Sequence, residues 1–164
     1  MVHAFIASRL DNMNSLLYGL PKCLLCKLQK IQNHAARVVT RTRRRDHITP
    51  VLAQLHWLPV DMRVRFKISL MTFKALHGLA PKYIRDLITP HELNRRLRSQ
   101  DLNMLQQPPS RTKTFGDRSF RVCAPYLWNR LSNNLRQTHE IESFKTDLKT
   151  SLYREAFHDV EEVQ

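Results

Sequence analysis

The sequence predicts a mostly α fold, a helical bundle-like domain with a long irregular basic arm between its N- and C-terminal helices. Three observations carry this. Apolar residues recur at steps of three and four over most of the chain, the spacing of one helix face. Glycine occurs only three times, so the turn punctuation of an all-β fold is missing. Most of the eight prolines sit where a periodic run starts or stops, the positions helices tolerate.

The elements follow in order. Val2, Phe5, Ile6, Leu10, Met13, Leu16 and Leu17 keep helical spacing over residues 2–18, and Gly19 with Pro21 supplies the stop. This run has no cap before it, as expected of a piece of a longer parent protein. Pro21 opens a second helix with Leu24, Leu28, Ile31, Ala35 and Val38 in one narrow stripe, expected to continue to about Arg43 or Arg44. Thr49-Pro50 reads as a cap and first turn for VLAQLHW, which Leu58-Pro59 breaks. A longer helix then runs to about His77, with Val64, Ile68, Met71 and Ala75 on one face and Gly78 at its end. Ala80-Pro81 opens KYIRDLI, closed by Thr89-Pro90.

Residues 91–118 are polar, contain Pro108-Pro109 and hold no sustained period, so they read as a long loop or extended arm. Within and after them, TFGDRSFRV alternates partially, which admits a short strand or hairpin arm. Ala124-Pro125 is expected to begin a helix carrying Leu127, Trp128, Leu131 and Leu135. Thr138 is placed to cap a last helix with Ile141, Phe144, Leu148 and Leu152, ahead of an acidic tail. This gives a helical region over 1–90, a basic arm over 91–124 and C-terminal helices over 125–164, read as one domain overall.

A formal charge of +13 and a pI near 10.3 are large for 164 residues, and such a field favours polyanions, nucleic acid before anionic membrane. Apolar and charged contents of 42% and 25% are those of an ordinary folded domain. No apolar run approaches a membrane span, and the first residues lack the basic start and unbroken apolar stretch of a signal peptide. With only three cysteines, Cys23, Cys26 and Cys123, a disulfide scaffold is not expected. An intracellular setting, nuclear or cytoplasmic, is.

Five arginines within nine positions form the sharpest feature, in RVVTRTRRR. On a continued helix Arg37, Arg41, Arg44 and Arg45 would share one face, with Arg43 beside them and Lys30 and His34 behind. Guanidiniums on one face can neutralise successive phosphates, often bidentately. The plainer reading is a solvated helix end whose cations suit the macrodipole; a nuclear localisation signal is a third. The overall charge favours nucleic-acid contact. A second basic group, Arg95, Arg96, Arg98, Arg111, Lys113, Arg118 and Arg121, is interleaved with Phe115, Phe120 and Tyr126. That mixture suits single-stranded nucleic acid, where bases stack on rings. For Phe120 and Trp128 packing onto the helices is the better account.

Chemistry finds little support. Cys23 and Cys26 have the spacing of half a zinc site, but the second pair is missing, so core or partner-facing thiols are expected. The eight aspartates are isolated, whereas two-metal polymerase chemistry needs clustered carboxylates. No HExxH, GxSxG or P-loop occurs. No catalytic residue, metal or cofactor is assigned.

Several blocks resemble, in order, the C-terminal part of non-LTR (LINE-type) retrotransposon reverse transcriptases: VHAFIASRLDNMNSLLYGLPK, LQKIQNHAARVVT, the run containing LHWLPV and FKALHGLAP, then GDRSF, APYLWN and SFKTDLKTSLY. The resemblance spans about residues 2–153. It implies a parent protein with endonuclease and reverse transcriptase that copies element RNA at nicked target DNA. This chain would correspond to the region after the polymerase palm, beginning near the thumb. The aspartate-bearing palm motifs are absent, so no catalytic residue of the family maps onto any position. Ser132 stands where relatives usually continue with proline, and Cys23 and Cys26 do not look like family features. The expected role is non-catalytic binding of RNA or an RNA–DNA template-primer through its phosphates. The alternatives are a structural module that packs on the polymerase region of the parent, or a decayed retrotransposon remnant without activity.

Overall fold

The computed structural model describes residues 2–91, 103–112 and 114–161. Among them are eight α-helices and no strand, an all-α fold as expected. The helices are α1 (Val2–Asp11), α2 (Lys22–Thr40), α3 (Ile48–Gln54), α4 (Val60–Leu76), α5 (Lys82–Arg85), α6 (Phe120–Asn129), α7 (Asn133–Gln137) and α8 (Ile141–Glu161). A 3-10 turn covers Asn14–Leu17. The chain divides into two compact units, residues 1–64 with 149–164, and residues 65–148. The division falls inside α4 and α8.

In the first unit Ala35 and Ala36 of α2 meet Val51 and Leu52 of α3, Trp57, and Phe157 of α8. The small alanines let α2 and α3 approach closely, and Tyr153 joins them by donating its hydroxyl to the Ala53 carbonyl (2.9 Å). Asp11 at the end of α1 holds the Arg63 guanidinium, whose Nε donates to Asp11 Oδ1 at 2.8 Å.

The expected α2 stripe is buried only in part: Ala35 lies in the core and Leu28 is half-buried. Leu24, Ile31 and Val38 are exposed by 41, 51 and 65%, while Gln32, Ala35 and Ala36 are buried. Two glutamines explain the rotation. Gln32 Nε2 donates to the Leu58 carbonyl, and Gln29 Oε1 accepts from the Val60 N–H, both at 2.8 Å. They grip the two sides of Pro59, which has no N–H of its own. The LHWLPV break is therefore fixed by α2, and the Val60 N–H, which has no partner within its own helix, gains an acceptor.

In the second unit Phe73 of α4 stacks on Phe144 of α8 at 4.3 Å between centroids, and Trp128 of α6 lies 5.8 Å from Phe144. Phe144 and Leu148 are buried along α8, as their spacing implies, and Leu152, which belongs to the first unit, is buried too. The arm is tied down at its centre. Asn129 pairs its side-chain amide with both backbone groups of Leu105 (2.9 Å each), and Trp128 Nε1 donates to the Asn103 carbonyl at 2.8 Å. On its other side the His91 N–H bonds to the Met104 carbonyl and the Gln106 N–H to the Thr89 carbonyl, around an isolated bridge between Pro90 and Leu105.

Three local expectations are overturned. TFGDRSFRV forms neither a strand nor a hairpin: its last three residues open α6, after a turn that leaves no partner strand. α6 thus begins at Phe120, not Ala124, and Pro125 is a buried interior residue. Its missing N–H leaves the Arg121 carbonyl without a helical donor, a cost set against burial of the ring. Leu127 and Leu135 do not share a helix, because Ser132 is extended (φ −61°, ψ 153°) and separates α6 from α7. Smaller shifts occur at starts: His47, not Thr49, precedes α3, and Pro21 flanks α2 rather than lying in it.

Candidate nucleic-acid interface

α2 stops at Thr40, short of Arg43 or Arg44. Arg41 adopts the left-handed conformation (φ 56°), and the N–H groups of Arg41 and Thr42 both turn back to the Arg37 carbonyl. Continuing the helix would stack like charges at four-residue spacing, Arg37 on Arg41 and Arg41 on Arg45, after the β-branched run Val38-Val39-Thr40. The face shared by Arg37, Arg41, Arg44 and Arg45 is therefore not formed.

A turn takes its place. Asp46 Oδ2 accepts from the Arg43 N–H (3.0 Å), the Asp46 N–H returns to the Arg43 carbonyl (3.2 Å), and Arg37 Nη2 donates to the Asp46 carbonyl (3.1 Å). Arg37 is thereby turned to a positioning role, half-buried, with its Nε lacking an acceptor. Arg41, Arg43, Arg44 and Arg45 are exposed. Eight Lys and Arg face one acidic residue between positions 12 and 60, and that residue, Asp46, spends its carboxylate on backbone. The loop follows a helix C-terminus, whose dipole favours cations there.

The second basic group is partly in view. Arg95, Arg96, Arg98 and Lys113 lie outside the described residues. Arg111 and Arg121 are exposed, while Arg118 is half-buried with a buried, unpartnered Nε. The Arg37–Arg45 group belongs to the first compact unit and Arg111 and Arg118 to the second.

Between Ser110 and Ser119 the chain closes on itself. Gly116 donates its N–H to Thr112 Oγ1 (2.9 Å), Asp117 its N–H to the Thr112 carbonyl (3.1 Å), and Ser119 Oγ donates to the Gly116 carbonyl (2.7 Å). A Cβ at Gly116 would run into Ser110 Oγ and lie 2.8 Å from the Thr112 carbonyl oxygen, so only glycine fits without a shift. Phe115, next to it, is 83% exposed. Trp128 is buried and Phe120 half-buried, so both pack as expected.

Some polar residues are structural although sequence reasoning did not single them out. Arg136 is a buried cation that donates to the Asn129 carbonyl (3.2 Å) and to Asn133, so it holds the α6–α7 turn. Gln29, Gln32 and Asn129 play the gripping roles described above; a glutamine inside an otherwise apolar helix face was the available signal for Gln32. Cys23 and Cys26 are exposed, which removes the core alternative for both. Cys123 is buried, and burial pushes its thiol up to about 11. Burial, and then the facing His139 ring 5.9 Å away, hold His77 below the ordinary histidine value. Among the described residues no three His, Cys, Asp or Glu side chains gather as a metal site, and no helix is long and apolar enough to cross a membrane. Comparison with protein-family models, with curated proteins and with solved structures finds no match for this chain.

Proposed function

We propose that this chain is a non-catalytic nucleic-acid-binding domain of LINE-type reverse transcriptase origin, holding RNA or an RNA–DNA template-primer by its phosphates. The observation that carries the reading is the α2–α3 loop, where Arg41, Arg43, Arg44 and Arg45 are exposed and the neighbouring carboxylate is engaged by backbone. Such cations release counterions when they meet phosphate. Arginine on a loop suits phosphate contact, which positions a strand rather than reading its bases. The ordered blocks that resemble that family support the same reading, since its members work on RNA and DNA. Fluorescence anisotropy of labelled RNA and DNA with the whole chain tests it: R41A/R43A/R44A/R45A loses affinity for both.

A second reading has its own observation. Leu24, Ile31 and Val38 recur every seven residues along one exposed line of α2, and Phe5, Met13 and Leu16 are exposed in the same unit. Such an exposed apolar line supports the reading of a module that packs on another protein, here the polymerase region of a parent. The arginine variant separates the two readings, because the module keeps its protein partner when the arginines are removed.

A further inference from the structure

Among the described residues Phe115 is the most exposed of the large apolar side chains, at 83%, and the backbone beside it is held by hydrogen bonds. Thr112 accepts three times, from Ser110 Oγ (3.2 Å), from the Gly116 N–H and from the Asp117 N–H. Ser119 closes the far side on the Gly116 carbonyl through both its N–H (3.0 Å) and its hydroxyl. Gly116 is one of only three glycines, and the space at its α-carbon admits no side chain. A polar loop closed by its own hydrogen bonds does not need an aromatic ring in water. Tyr126, the other exposed ring nearby in sequence, is already occupied: Arg130 donates to its hydroxyl (2.9 Å) and lies 5.4 Å from its ring centre. Phe115 has no such neighbour among its described contacts, and Arg111 and Arg121 are exposed on either side in sequence.

We infer that Phe115 is a stacking platform for an unpaired base of single-stranded nucleic acid. The inference rests on the nucleic-acid reading above and adds a preference to it. An exposed ring on a closed loop gains most from a planar base with a free face, which a duplex does not offer. Every base has such a face, so the contact is tolerant of sequence. The hydrogen bonds at Thr112, Gly116 and Ser119 hold the backbone beside the ring, which lowers the ordering cost of the contact. The exposed arginines supply the phosphate contacts that keep the strand beside the ring.

The test uses the whole chain with 20-nucleotide single-stranded RNA, single-stranded DNA and duplex DNA at one low salt concentration. F115A is expected to weaken both single strands about 5- to 150-fold and to leave the duplex within about twofold. F115W restores single-strand affinity, whereas F115L, similar in bulk but without a ring, behaves as F115A. The ring is exposed, so the variants keep the wild-type melting profile. Equal loss on duplex and single strands, no loss on either, or rescue by leucine overturns the stacking role. A wild-type chain that binds none of the three overturns the underlying reading instead, and the stacking role with it.

Discussion

Replacing Gln32 by leucine tests whether α2 fixes the break at Pro59. Gln32 is 1% exposed and donates to the Leu58 carbonyl at 2.8 Å. Leucine keeps the volume and removes the donor, stranding a carbonyl beside a buried leucine at a cost of about 1–3 kcal/mol. One term opposes this: Gln32 Oε1 is itself buried without a partner, so its removal relieves a penalty already present. The net expectation is a loss of about 1 kcal/mol. Gln29→Leu strands the Val60 N–H at the start of α4 and costs about 0.5–2 kcal/mol, as the loss of a cap does. The two act on one short segment, so the double variant departs from additivity by about 0.5 kcal/mol or more. Urea unfolding followed by circular dichroism gives the three values. A Gln32→Leu chain as stable as wild type, or more so, would refute the reasoning, because the Leu58 carbonyl would then not depend on that donor.

Other expectations follow from the same structure. In the folded protein two thiols, Cys23 and Cys26, react promptly with Ellman's reagent at pH 8, and Cys123, held near 11, reacts only on unfolding. Three prompt thiols would contradict its burial. His77 stays neutral in the fold below the pH at which the unfolded chain takes up its proton, near the reference 6.5. Its contribution to stability is therefore whole above that pH and declines as pH falls through 6.5 toward the lower folded value. His139→Gln removes one cause of the depression and moves the His77 midpoint upward in a proton NMR titration; an unmoved midpoint would discount the His139 contribution. Gly116→Ala forces the Thr112 carbonyl or the loop to shift, so trypsin cuts after Arg111 or Arg118 faster than in wild type. An unchanged cleavage rate would show that the loop has slack.

The helices were legible because their signals are local. The 3.6-residue period, the proline starts and Gly78, which takes a positive φ of 72°, all act within a few residues of where they stand. The α8 stripe of Phe144, Leu148 and Leu152 was readable for that reason. The α2 stripe misled at three of its five members, because the line of Leu24, Ile31 and Val38 and a face of Gln29, Gln32, Ala35 and Ala36 compete for the core. The acceptor and donor around Pro59, some thirty residues away, decide between them. Pattern reading has no access to such a distant partner. The arginine run failed in geometry for a nearer reason. Its own repulsion and the Asp46 turn end the helix before the residues that were to share its face. Which arginines point to water was legible in part. Arg41, Arg43, Arg44 and Arg45 are exposed, whereas Arg37 serves the turn and Arg136 the core of its own unit.

The most direct test of the central claim is the salt dependence of single-stranded RNA binding by the whole chain, measured for wild type and for R41Q/R43Q/R44Q/R45Q. If the four exposed arginines each neutralise a phosphate, the slope of log affinity against log salt becomes shallower by about 3 in the variant. Binding should also weaken most at the lowest salt. Absence of binding at low salt, a flat wild-type slope, or the same slope in both proteins would contradict the account.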